Sequence, residues 1–322
     1  MFCSLPSLTA LLLTLAYCTA FVKAAYSLVD NYSGASLISG FNFFSEPDPT
    51  HGFVRYLNQN DAQSQGLLSV SGSSVYIGVD SKNKAPNGRA SVRLESKKLY
   101  KKGLFILDLA HMPSSTCGTW PAFWTWGSGK TWPELGEIDI IEGVHTNTAN
   151  TMVLHTADGC SISGTGLTGV VKTKNCYINA PGQSPNAGCA IESSSSSSFG
   201  TPFNAAGGGV YAMEWTSSGI KIWHWLRDAI PADVKSGNNP NPGGWGTPQG
   251  NFAGGCNFDT KFGDQKIVLD TTFCGDWAGN VWTSNPTCKS LAATCNDYVA
   301  NNPGAFAESY WRVNYLKIFR QT

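Results

Sequence analysis

The sequence predicts an all-β fold, a sandwich or a barrel. Three observations carry that expectation. Short runs rich in aromatic and β-branched residues recur along the chain, glycine-rich turns separate them, and stretches of helical period are scarce. The 322 residues are 42% hydrophobic and 14% charged, which is enough apolar material for a large core.

At the N-terminus, residues 8–17 (LTALLLTLAY) form an apolar run too short to span a bilayer. Val22 and Ala24 fit the small-residue rule for signal cleavage, as do Cys18 and Ala20. The run reads as an export signal over residues 1–24, followed by one domain over residues 25–322. It departs from the usual pattern in having no Lys or Arg before the apolar stretch. Cleavage would remove Cys3 and Cys18. The remaining cysteines are Cys117, Cys160, Cys176, Cys189, Cys256, Cys274, Cys288 and Cys295. An even count in an exported chain predicts up to four disulfides, whose pairing spacing does not decide. No C-x-x-C pair occurs, so a zinc site is disfavoured. Asn31-Tyr32-Ser33 is the one N-x-S/T site without Pro, a glycan acceptor if exposed.

Further along, Val210–Trp215 and Gly219–Arg227 read as two strands of a hairpin turning through Thr216–Gly219. Gln265–Leu269 and Trp311–Phe319 also read as strands. In the last one, period-2 alternation puts Trp311, Val313, Tyr315 and Phe319 on one face. The run Ser193–Ser198 reads as a surface loop, and residues 236–255, rich in Gly, Pro and Asn, as a long loop. Ala292–Asn301 is the one short helix expected.

The segment Gly136-Glu137-Ile138-Asp139-Ile140-Ile141-Glu142-Gly143 carries the strongest chemical signal. Acids alternating with isoleucines read as a strand, so Glu137 and Asp139 share a face. Strict alternation would turn Glu142 into the core, where an unpaired carboxylate is costly. One extra residue near Ile140–Ile141, a β-bulge, returns Glu142 to the acidic face. Two carboxyls flanking a glycosidic bond suit sugar hydrolysis, one attacking or activating water, the other protonating the leaving oxygen. Burial and mutual repulsion would keep one of them protonated. Two other readings stay open on spacing alone. Clustered acids also hold calcium, although such loops are rich in Asn, Asp and Gly rather than Ile. A solvated acidic strand face is the third.

Composition narrows the partner. Lys plus Arg is 22 and Asp plus Glu is 22, so no net positive field draws nucleic acid or an anionic membrane. The expected partner is a neutral polymer, bound by a monomer. The 11 Trp, 11 Tyr and 16 Phe supply core and also flat faces for the C–H surfaces of sugars.

Several motifs, in order, extend this reading. GEIDIIEG resembles the active-site signature of glycoside hydrolase family 16 in its bulged E-x-D-x-x-E form. Trp120-Pro121-Ala122-Phe123-Trp124 resembles that family's W-P-A-F-W strand. Phe41–Phe44, Asp48–Gly52, Phe273–Gly279 (FCGDWAG), Cys295–Pro303 and Tyr310–Phe319 are similar to the fungal laminarinase-type members. The resemblance covers nearly all the chain after residue 24. It implies a β-jelly-roll sandwich of two antiparallel sheets with a concave substrate cleft, and a retaining endo-1,3(4)-β-glucanase. By motif position it implies Glu137 as nucleophile, Glu142 as acid/base and Asp139 as the assisting acid. It implies sugar-binding roles for Trp124, Trp132, His155 and Trp277. Trp120 and Trp126 share the face of Trp124 by alternation, whereas Trp223, Trp225 and Trp311 read as core. The chemistry calls for no cofactor, although some members carry a structural calcium away from the acids. The bulged motif favours β-1,3-glucan over the substrates of the unbulged branches. Thr125-Trp126-Gly127 departs from many relatives, which puts the local cleft shape in question. A transglycosylase and a non-catalytic glucan-binding protein are the competing functions.

Overall fold

Alternating apolar and polar side chains sort the strands into two antiparallel sheets of eight, packed face to face. The computed structural model describes residues 26–322. The expected export signal, with Cys3 and Cys18, lies outside the described residues. One sheet runs, in hydrogen-bonded order, Val170–Val171, Cys189–Glu192, Thr151–His155, Glu137–Glu142, Thr119–Gly127, Gln265–Phe273, Arg93–Ser96 and Phe41–Phe44. It is called the cleft sheet below. The outer sheet runs Gly250–Phe252, Gly219–Leu226, Gly209–Thr216, Gly103–His111, Trp311–Gln321, Ser74–Ile77 and Leu68–Ser71. Strand Tyr26–Tyr32 also pairs with Trp311–Gln321, and Asn31 on it is exposed.

The main core lies between the sheets. Phe123, Ile138 and Ile267 of the cleft sheet meet Leu107, Met213 and Trp215 of the outer sheet in one buried cluster. The alternate residues of the outer strands, Leu104, Ile106, Val210 and Ala212, build a second cluster on the far face with Trp223 and Trp245. Trp223 and Trp225 both pack edge-on against Trp245, at 5.4 and 5.2 Å. Trp223 is therefore core, but in this outer cluster, and Trp225 is only half-buried beside it. Trp311 sits in the main core.

The hairpin forms as expected, Gly209–Thr216 against Gly219–Leu226, with Thr216 opposite Gly219. Other expectations need correction. Strand Trp311–Gln321 is not regular. Its register against Gly103–His111 slips on both sides of Val313. Asn314 is the extra residue, so Trp311, Val313, Leu316 and Ile318 face the main core, while Tyr315 and Phe319 turn to the outer cluster. The helix begins at Cys295, not Ala292, because Thr294 caps it by accepting from the Asp297 N–H. The stretch 236–255 includes an edge strand, Gly250–Phe252. The serine run is a loop, but Ser193 and Ser198 are buried.

All eight cysteines among the described residues pair: Cys117–Cys288, Cys160–Cys256, Cys176–Cys189 and Cys274–Cys295. Two of the bridges, Cys117–Cys288 and Cys274–Cys295, share a satellite apolar cluster with Phe273, Trp282, Val299 and Phe306.

Candidate active site

Strand Glu137–Glu142 lies in the middle of the cleft sheet, between Thr119–Gly127 and Thr151–His155. Its register carries the expected bulge. Asp139 faces Trp124 and Ile141 faces Phe123, two steps against one. On the other side Asp139 faces Val153 and Glu142 faces Thr151, three steps against two. Ile138, Ile140 and Ile141 are all in the core. Glu137, Asp139 and Glu142 all line a cavity of about 360 Å³ on the opposite face.

Each acid has a distinct setting. The Trp132 indole N–H donates to Glu137 Oε2 at 2.8 Å. The Trp120 indole N–H donates to Glu142 Oε1 at 2.8 Å. His155 Nε2 lies 3.4 Å from Asp139 Oδ2 and 3.9 Å from Glu137 Oε1. Asp139 is 3% exposed, and its Oδ2 has no hydrogen-bond donor among the described residues. Burial, and then the charge of Asp270, push its carboxyl well above the usual range. Burial, and then Asp139, push Glu137 to about 8 against the opposing pull of His155 and Trp132. Glu142 is likewise pushed up to about 8, by burial and then Asp139, with Trp120 opposing. The acids therefore titrate as a set and share protons near neutral pH. Asp139 is the best place for a proton, whereas Glu137 and Glu142 rise alike and His155 pulls both down, so burial and charge leave the two glutamates equal. One proton shared between the two glutamates leaves one as donor and the other as carboxylate. A proton donor and a carboxylate facing one cleft are what retaining sugar hydrolysis uses.

The aromatic expectations divide. Trp120, Trp124, Trp126 and Trp132 line the cavity, as does His155. Trp277 is not among the lining residues; its ring packs edge-on against Trp120 at 5.9 Å. Alternation in Thr119–Gly127 placed the three tryptophans of that strand on one face, and its burial pattern follows suit.

Several residues here escaped sequence reading. Asp270 lines the cavity from strand Gln265–Phe273. It accepts from the Trp124 indole at 3.1 Å and the Tyr56 hydroxyl at 2.9 Å. Burial raises its carboxyl to about 6, opposed mainly by Arg93. The Arg93 guanidinium lies 5.0 Å from the Trp124 ring centre and 4.6 Å from that of Phe44, and pairs with Glu95 at 2.9 Å. A signal for Asp270 existed: alternation continued past Leu269 puts Ile267 and Leu269 inward and Asp270 and Thr272 toward the cleft. Asn186 also lines the cavity, on the loop closed by Cys176–Cys189. Among the described residues, Glu137, Asp139 and His155 bring one ligand atom each within 4.8 Å of one another, near enough to hold a cation. That trio is the acid cluster itself.

Residues 41–319 match the family model described as the XgeA-like, catalytic GH16 domain. The chain belongs to glycoside hydrolase family 16. An endo-1,3(4)-beta-glucanase of Arthroderma benhamiae is 48% identical over 303 residues, covering 93% of this chain and 66% of that protein. The chain spans less than half the length of several other fungal relatives. Among solved structures, an elongating GH family 16 beta-1,3-glucosyltransferase is 46% identical, with TM-score 0.85, over 92% of this chain and all of that one. Laminarinase 16A from Phanerochaete chrysosporium, solved with 6-O-glucosyl-laminaritriose in donor and acceptor sites, is 39% identical. Its TM-score is also 0.85, with 92% of this chain and 100% of that chain covered. The sandwich is thus the β-jelly-roll of this family.

Proposed function

We propose that this family 16 chain is a retaining endo-β-glucanase that hydrolyses β-1,3-glucans such as laminarin, and mixed β-1,3/1,4 chains. The observation that carries the reading is the bulge, which brings Glu137 and Glu142 to one face with an indole N–H on each. Glu137 attacks the anomeric carbon. The bond to the leaving oxygen breaks as Glu142 gives that oxygen its proton. Glu142, now ionised, takes a proton from water, which attacks the same carbon and frees Glu137. Asp139 keeps its proton on the Glu137 side and moderates the charge that Glu137 gains and loses. Trp124 and Trp132 offer faces to the sugar rings, and His155 holds the acids in register. Trp277 contributes by backing Trp120. The four disulfides suit an oxidising, extracellular setting.

The test is laminarin digestion. Glu137→Ala should abolish turnover, and Glu142→Ala should lower it by about 10²–10⁴-fold. Near-normal turnover in either variant would overturn the assignment. A second reading, transfer to a sugar hydroxyl in place of water, gains support from the 46% identity to an elongating glucosyltransferase. It needs the same residues, and products longer than the input would mark it.

A further inference from the structure

A bulge breaks ladder hydrogen bonds, and here it does so beneath a reactive residue. Between Asp139 and Glu142 the pairing with strand Thr151–His155 lapses. That leaves the Ile140 carbonyl and the Glu142 N–H without strand partners on that side. Each would cost about 1–3 kcal/mol if buried unmet. One side chain satisfies both. Asn150 Oδ1 accepts from the Glu142 N–H at 2.8 Å, and Asn150 Nδ2 donates to the Ile140 carbonyl at 2.9 Å. The carboxamide stands where a peptide of the neighbouring strand would stand, with donor and acceptor in matching order.

Asn150 is itself held rigidly. It is 0% exposed. Its N–H donates to Ser198 Oγ at 2.9 Å, and its carbonyl accepts from the Ser193 N–H at 2.8 Å. The serine run therefore grips Asn150, and Asn150 grips the bulge. Asn150 does not line the cavity, so it acts on a sugar only through Glu142.

We propose that Asn150 is a positioning residue whose carboxamide, by replacing the peptide that the bulge displaces, aims the Glu142 carboxyl at the leaving oxygen. The inference rests on the reading of Glu142 as acid/base. Fixing the Glu142 N–H fixes the direction of its Cα–Cβ bond, and so the place from which its proton is delivered. Proton transfer needs heavy atoms within hydrogen-bond reach, so a small swing of the carboxyl costs rate. The attack by Glu137 is untouched, because Glu137 lies before the bulge with regular partners, His155 and Trp126.

The experiment compares two substrates. A laminari-oligosaccharide needs its leaving oxygen protonated, whereas a 2,4-dinitrophenyl β-laminaribioside does not. In Asn150→Asp and Asn150→Ala, kcat/KM on the oligosaccharide should fall by about 10–100-fold, a part of what acid catalysis supplies. On the dinitrophenyl substrate kcat/KM should stay within about threefold, and added azide should raise kcat there by replacing the base-assisted water. The ratio of the two kcat/KM values is independent of how much of a variant folds. An unchanged ratio, whether both values fall together or neither falls, overturns the proposal. Glu142→Ala is run beside them. If it shows no leaving-group dependence and no azide rescue, the acid/base reading itself fails. If it shows both and the Asn150 variants show neither, only the positioning role fails.

Discussion

Glu142 carries an opposition between stability and function. Its carboxyl is buried beside Asp139, and its pKa rises from 4.5 to about 8. The folded chain therefore holds a proton that the unfolded chain releases at lower pH. The sign follows from linkage: the stability this protonated form contributes is present below pH 4.5 and is lost as pH rises through about 8. Glu137, raised likewise to about 8, adds to the same loss. Glu142→Gln removes the titration and keeps an oxygen for the Trp120 indole. Its melting temperature should match the parent at pH 4 and exceed it by roughly 10 °C or more at pH 8, since the rise from 4.5 to about 8 is about 5 kcal/mol at about 1.4 kcal/mol per pKa unit, and each kcal/mol moves the midpoint by roughly 2–4 °C. Thermal melts across pH 4–9 check this, and a gap that stays constant with pH would refute it. At this scale the three acids were legible because they occupy six consecutive residues. Alternation could give the face of Asp270 but not its meeting with Arg93 and Trp124, because the three reach the cleft from strands far apart in sequence and meet only across the sheet.

Individual strands show why one bulge could be foreseen and another could not. In Glu137–Glu142 a charged residue would have been buried by strict alternation, so the sequence itself signals the irregularity. In Trp311–Gln321 every alternative buries an apolar or aromatic residue, and nothing in the letters resists a regular strand. The slip at Asn314 therefore leaves no trace in the sequence, and alternation puts Tyr315 and Phe319 on the wrong face. The serine run misled for a related reason. Ser193 and Ser198 are polar but buried, because they satisfy the backbone of Asn150. That role makes a prediction for the loop. Ser198→Ala leaves the Asn150 N–H buried and unmet, which should cost about 1–3 kcal/mol. The urea midpoint should fall accordingly, with an unchanged m-value. Ser196→Ala, at an exposed position in the same run, should leave the midpoint where it is. Equal effects from the two substitutions would mean that the loop does not grip the bulge.

Across the whole molecule the cross-links divide the labour between holding the fold and shaping the cleft. The even cysteine count was readable, but the pairing was not, since it depends on which loops fold back over the sandwich. Cys117–Cys288 closes a separation of 171 residues and ties strand Thr119–Gly127 to the C-terminal loops, inside an apolar cluster. Cys176–Cys189 closes only 13 residues. Its loop brings Asn186 to the cavity and is further held by Gln183, whose amide donates to the carbonyls of Asn175 and Gly188. In the chain-entropy account the long closure contributes about 5 kcal/mol and the short one about 3. Replacing both cysteines of the long bridge with alanine should therefore lower the denaturation midpoint more than replacing those of the short one. The catalytic consequences should run the other way. Freeing the short loop lets Asn186 move at the edge of the cavity, so KM for laminarin should rise several-fold with kcat little changed. Freeing the long bridge leaves the cavity lining in place and should spare KM at temperatures where the chain stays folded. If the short-bridge variant loses more stability than the long-bridge one and keeps its KM, the loop carries structure and not substrate.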